Sequence, residues 1–203
     1  MRLSFMSNIT FILFSAFVGV LFTNKTTYIC IKMEIVVEYP YFFTATILEW
    51  KHLLKPDKFK DIIISSLIYM AESNRMKIFG FVIMSNHIHV IWQNLPPYNQ
   101  NENQLSFMKY TAQMILKELK SYHPEVLKHF EVNLKDRKYQ IWQRNPLSIE
   151  IRTSSVSNQK LTYIHENPIK AGLCPTIIDY KYSSAKYYEL NQSEWVFLSS
   201  ILK

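Results

Sequence analysis

Glycine occurs only three times and cysteine twice in 203 residues, and eight prolines are scattered rather than clustered. That poverty excludes fibrous and low-complexity chains, and no internal repeat recurs at a fixed period. Cys30 and Cys174 make no CxxC or other thiolate metal motif and no disulfide framework, which suits a reducing compartment. A glycine-rich phosphate loop is missing too, so nucleotide hydrolysis through a P-loop and a dinucleotide fold have no support. Acid is absent from residues 1–32, which hold Arg2, Lys25 and Lys32 of the 23 basic residues. The net charge of +7 is therefore only partly a property of the remainder, and the residual excess is compatible with a phosphate-bearing partner without requiring one.

What is present in quantity is apolar and aromatic: 48% hydrophobic and 15% aromatic residues, ample for one globular domain with a real core. The run Ile9–Phe22 is borderline for a membrane span. Three readings fit residues 1–32: a signal peptide, although no small-x-small cleavage site follows; an anchor; or sequence upstream of a natural start at Met33. We favour the third, because patterned sequence begins abruptly at "MEIVVEYPYFFTATILEW". The expected organisation is a hydrophobic extension over 1–32, a domain over 33–190 and a tail over 191–203.

Along the domain, "YFFTATILE" reads as a strand, and "KPDKFKDIIISSLIYMAESNRM" as a helix with Phe59, Ile62, Ile63, Leu67 and Met70 on one face. "KIFGFVIMSNHIHVIWQ" breaks near Met84–Asn86 and reads as two strands. "NLPPYNQNENQ" is loop by composition, "LSFMKYTAQMILKELKSY" a second helix, and residues 139–153 another extended segment. A third helix, "SNQKLTYIHENPIKAGL", should end or kink within a residue or two of Pro168. This order predicts an α+β fold, an antiparallel sheet with helices packed on one face.

Within the second of the paired strands, His87 and His89 stand at i and i+2, on one face and about 7 Å apart along the chain. Flanked by Ile88 and Val90, both rings need buried partners, and one divalent ion would satisfy the pair. Two imidazoles leave coordination positions open for a substrate oxygen, and the lack of nearby cysteine argues against a structural zinc site. On the third helix Tyr163 and Asn167 stand four apart, near each other on one face, so that a hydroxyl able to attack lies beside an amide able to ligate. Composition cannot select Tyr163 among 13 tyrosines, and Tyr110 is the runner-up. His165 is expected to be a surface residue. Lys109, Lys117, Lys120, Arg137, Lys138 and Lys170 are candidate phosphate-backbone contacts or an ordinary solvated face, and Trp92, Tyr98 and Trp142 are candidate stacking rings, with core packing the expected use of at least one.

These residues carry a resemblance. "FGFVIMSNHIHVI" resembles the histidine-hydrophobic-histidine motif of the HUH single-stranded DNA nucleases. "YIHENPIKAGL" with "YKYSSAKYY" resembles the C-terminal signature of the REP-associated tyrosine transposases, the IS200-like group, and Trp142–Gln143 fits the same pattern. The resemblance spans Tyr41 to Tyr188 and implies a ferredoxin-like sheet, His87, His89 and Asn167 as metal ligands, and Tyr163 as nucleophile. It implies Mg²⁺ or Mn²⁺ as cofactor, and single-stranded or hairpin DNA rather than a small molecule as substrate. A 5′-phosphotyrosine intermediate would allow rejoining without ATP, in keeping with the missing P-loop. A catalytically inactive hairpin-binding relative is the alternative. The expected setting is cytoplasmic and nucleoid-associated, as monomer or homodimer, with no membrane partner.

Overall fold

The computed structural model describes residues 12–23, 26–192 and 194–201, the stretch before residue 38 only as backbone. The described residues divide into two compact units that part between Tyr39 and Pro40. In the first, β1 (Ile12–Thr23) pairs antiparallel with β2 (Thr26–Val37) as a hairpin, Gly19 opposite Cys30. The hydrophobic extension expected over 1–32 lies partly outside the described residues. Its described part is this hairpin, and Met33 falls inside β2 rather than at the boundary between units. No helix among the described residues is long and apolar enough to cross a membrane.

The second unit is the α+β plan read from the sequence. Its strands are β3 (Tyr41–Thr46), β4 (Met76–Ile83), β5 (His87–Asn94) and β6 (Leu147–Glu150). They form one antiparallel sheet in the order β4-β5-β3-β6. Helix α1 (Asp57–Glu72) joins β3 to β4, and α2 (Gln100–Tyr122) lies between β5 and β6. The strand order with these two crossovers is the ferredoxin-like arrangement.

Alternation along the strands sorts the core into two layers. Phe43, Ala45, Ile88, Val90 and Trp92 join Phe59, Ile63, Leu67 and Met70 of α1 and Phe107, Ile115 and Leu119 of α2 in the main core. Phe42, Val82 and Ile91 belong to a second cluster with Leu161 and Ile164 of α4 (Ser154–Lys170). The two crossover helices thus share one face and α4 covers the other, toward which β5 turns its histidines, so the helices pack on both faces of the antiparallel sheet rather than on one as the sequence order predicts. Approach there is close: a Cβ on Gly80 of β4 would lie 2.8 Å from Leu161 Cδ2 and 3.1 Å from Ile164 Cδ1.

Two boundaries differ from the sequence reading. Helix α2 starts at Gln100, inside the expected loop, because the Asn99 side chain accepts from Glu102 N at 3.1 Å while Glu102 Oε2 accepts from Asn99 N at 3.2 Å. That capping box satisfies two otherwise orphaned donors at the helix start. Between Tyr139 and Thr153 only Leu147–Glu150 is strand, since Asn145 turns the chain through a left-handed conformation (φ 57°). Pro168 acts as expected: α4 ends two residues later, and Gly172 follows with φ 66°. Two short helices flank α4 in the chain, α3 (Pro124–Leu127) before it and α5 (Ala185–Leu190) after it. Residues 194–201 of the tail lie against β4, where Ser199 N donates to Ile78 O and the Trp195 and Phe197 rings meet Phe81.

Candidate active site

The β3–β5 register sets Thr44 opposite His89 and Thr46 opposite His87, on the face covered by α4. The two imidazole centroids are 4.8 Å apart. His89 is buried, stacked on Phe42 at 5.2 Å, and its Nδ1 lies 2.7 Å from Thr44 Oγ1. His87 Nδ1 lies 2.7 Å from Asn86 Oδ1, an acceptor, so that ring carries its proton on Nδ1 and leaves Nε2 as a lone pair. His89 Nε2 is buried and lacks any hydrogen-bond partner. A buried ring nitrogen without a partner is costly, and a ligand aimed at that atom would remove the cost.

Burial disfavours the charged form of both rings. Burial pushes His89 down to about 3, reinforced by its neighbours His87 and Lys160. Burial also lowers His87, against the opposing pull of a hydrogen bond with the Asn167 side chain. Neutral imidazoles are the form that binds metal.

Helix α4 brings the remaining parts. Thr153 caps it, Oγ1 accepting from Val156 N at 3.3 Å, and Leu161 and Ile164 anchor it to the sheet. Tyr163 then lies against the strand histidines, its ring centroid 5.2 Å from His89 and 6.0 Å from Phe42, while the side chain stays 43% exposed. Asn167, one turn on, donates from Nδ2 to Tyr163 O at 3.3 Å and lines a cleft of about 380 Å³ with His52, Ser85, Asn86, His87 and Lys170. Sequence positions 87, 89, 163 and 167 are therefore brought together from two elements. Among the described residues no group of three or more His, Cys, Asp or Glu side chains suits an ion. A bound ion would take the two imidazoles, the amide and oxygen from elsewhere, a donor set that fits the orphaned Nε2.

The basic residues are placed unevenly. Lys170 lines the cleft, its Nζ 2.7 Å from Glu166 and 5.9 Å from the Tyr163 ring. Lys109, Lys117 and Lys120 ride on α2, across the sheet from the histidines, as does Tyr110. Arg137 pairs with Asp136, and Lys138 with Glu131 at 3.0 Å, both in the surface segment before β6. Lys160 was not singled out from sequence. Its Nζ is 4.6 Å from the Phe42 ring and 6.0 Å from that of Tyr163, and the signal was its place three residues before Tyr163 on the same helix face. One reading is narrowed and one corrected. Core packing, expected for at least one of the stacking candidates, takes both Trp92 and Trp142, and Tyr98 lies beneath the Arg75 guanidinium at 4.2 Å. His165 is buried rather than superficial: Nε2 is 2.8 Å from Ser184 Oγ, and burial pushes it down to about 4.

No family model and no curated protein sequence matches the chain. Solved structures do. A REP-associated tyrosine transposase, described bound to a REP hairpin, superposes with a TM-score of 0.54 at 17% identity, covering 81% of this chain and 88% of that one. The chain has a tyrosine-transposase-like fold. A protein from Deinococcus radiodurans R1 assigned as a transposase also aligns, with a TM-score of 0.44 at 13% identity over 64% of this chain and 92% of its own. The transposase likeness holds at the level of fold.

Proposed function

We propose that the chain cleaves and rejoins single-stranded DNA flanking a hairpin, through a covalent 5′-phosphotyrosine at Tyr163, with Mg²⁺ or Mn²⁺ held by His87, His89 and Asn167. The observation that carries this is the buried, partnerless Nε2 of His89 beside a half-exposed tyrosine. The hairpin-bound state of the transposase of like fold supports hairpin DNA as the partner.

His87, His89 and Asn167 would hold the ion, which when bound would supply positive charge for the non-bridging oxygens of a scissile phosphate. The chain's own residues do the rest. Thr44 and Asn86 fix the ring orientations, so the coordinating nitrogens are in place before substrate arrives. Tyr163 Oη attacks phosphorus and gives up its proton, a new P–O bond to the tyrosine forms, and the bond to the 3′ oxygen breaks. That oxygen takes up a proton and leaves as a 3′-hydroxyl. Because the phosphotyrosine retains the diester's free energy, another 3′-hydroxyl can reverse the step and join a new strand. Lys160 and Lys170, both within about 6 Å of the Tyr163 ring, place positive charge where the DNA backbone would enter.

The test is cleavage of a labelled hairpin oligonucleotide in Mn²⁺. Wild type should cut, and chelation should stop it. His87→Ala and His89→Ala should each lose most cleavage and keep hairpin binding. Undiminished cutting by His89→Ala in the presence of chelator would contradict the reading.

A further inference from the structure

Of the four tryptophans, Trp50 alone is turned outward: it is 58% exposed, while Trp92 and Trp142 are buried and Trp195 packs on Phe81 and Tyr182. It also sits where the backbone is strained. Glu49 and Trp50 both adopt left-handed conformations, with φ of 55° and 58°, which for side chains with a Cβ costs roughly 1 kcal/mol or more each. Such a pair persists only where its surroundings over-determine it, and here they do. Ile47 N donates to Asn86 O and Leu48 N to Ile141 O, both at 2.8 Å, and Trp50 N donates to Ile47 O at 2.9 Å. The backbone N of Glu49 donates to Gln143 Oε1 at 3.3 Å. The turn that follows β3 is thereby clamped between the loop before β5 and the segment around Trp142.

What that clamp accomplishes is to hold a large flat apolar ring in solvent at the edge of the candidate site. The Trp50 and His87 rings meet edge-on at 5.9 Å, and Asn86, whose Oδ1 orients His87, reaches Trp50 O with Nδ2 at 3.4 Å. Exposed indole and left-handed backbone are two separate costs at one position. Neither contributes to the core, so a ligand with a flat unsaturated face is the natural occupant.

We propose that Trp50 is the stacking platform for a nucleobase next to the phosphate that Tyr163 attacks, and so positions the single strand over His87. This rests on the reading of the chain as an enzyme of single-stranded DNA and adds to it the residue that grips the unpaired strand. Stacking on an aromatic face tolerates any base, so Trp50 contributes affinity for unpaired DNA rather than sequence choice.

The test uses the full chain and two oligonucleotides, a fluorescein-labelled hairpin with a 3′ extension of unpaired thymidines and the same hairpin with abasic sites throughout the extension. Trp50→Ala should bind the thymidine extension about tenfold more weakly than wild type, and Trp50→Phe only slightly so. On the abasic extension wild type and Trp50→Ala should bind alike. Indole fluorescence of wild type should be quenched by the thymidine strand, and the quench should vanish in Trp50→Phe. Equal affinity of wild type and Trp50→Ala for the thymidine strand overturns the proposal, as does an equal loss on both strands. Should Trp50→Ala fail to fold, a quench that survives in Trp50→Phe overturns it instead. Wild type that binds neither oligonucleotide defeats the reading of the chain as a DNA enzyme, a result distinct from normal wild-type binding that Trp50→Ala leaves intact.

Discussion

Thr44 faces His89 across the β3–β5 ladder, and its hydroxyl, 2.7 Å from Nδ1, leaves Nε2 as the unpartnered ring nitrogen. Partners of this kind fix the tautomer and direction of a ligating imidazole, and their loss commonly lowers metal affinity about 10–100-fold. Thr44→Val keeps the shape and removes the hydroxyl, so Mn²⁺ binding measured by titration calorimetry should weaken by that factor, with the melting temperature nearly unchanged. Unaltered Mn²⁺ affinity would mean that Thr44 does not orient a ligand. At this scale the sequence was legible where chemistry and spacing coincide: His87 and His89 at i and i+2, Tyr163 and Asn167 at i and i+4. It was silent where a residue's role depends on what the chain brings from far away. His165 looked superficial because Ser184, which covers it, is supplied by the segment after α4. Which of the aromatic candidates would stack bases and which would join the core stayed open, because nothing local reveals that Phe43 stacks on Trp92 at 4.5 Å or that Thr111 Oγ1 accepts from Trp142 at 3.0 Å.

The elements that hold the site are tied down by tyrosines of the C-terminal segment. Tyr188 Oη donates to Phe79 O at 2.7 Å and Tyr180 Oη to Ile83 O at 2.8 Å, both carbonyls of β4, the strand on which α4 packs. Burial pushes each phenol up to about 12, with Asp57 and Cys174 adding to the effect at Tyr180. A folded-state value raised above that of the unfolded chain, near 10, stabilises the fold fully below pH 10 and is lost as pH rises from 10 towards 12. The melting temperature should fall across that window, and Tyr188→Phe should flatten the fall while costing about 1 kcal/mol at neutral pH for the lost hydrogen bond. A thermal melt series from pH 8 to 12 checks it, and an identical slope in Tyr188→Phe would refute it. Helices α1 and α4 were readable from their apolar spacing. The early start of α2 was written in Asn99 and Glu102 as a capping pair, a signal overshadowed by the polar composition around it.

For the whole molecule, the ferredoxin-like sheet follows from the order of elements, because two crossovers around a β4–β5 hairpin leave β3 and β5 as central neighbours. The sequence pattern stopped short of the boundary between units, which falls after Tyr39 rather than at Met33, since β2 carries a continuous strand through that methionine. The unit from Pro40 holds both core clusters and every candidate site residue. A protein shortened to residues 38–203 should therefore keep its circular dichroism spectrum, its melting temperature within a few degrees and its cleavage of hairpin DNA. Loss of the folded signal on that truncation would show that the hairpin unit is required for the fold.

The central claim is that Tyr163 forms the covalent bond to DNA. Hairpin oligonucleotide incubated with protein and Mn²⁺, digested with trypsin and analysed by peptide mass, should give a nucleotide adduct on the peptide that contains Tyr163. Tyr163→Phe removes only the hydroxyl and should abolish the adduct while hairpin affinity stays within about twofold and the fold is kept. Tyr110→Phe, across the sheet, should leave it intact. An adduct that persists in Tyr163→Phe, or that maps to the peptide holding Tyr110, would contradict the assignment.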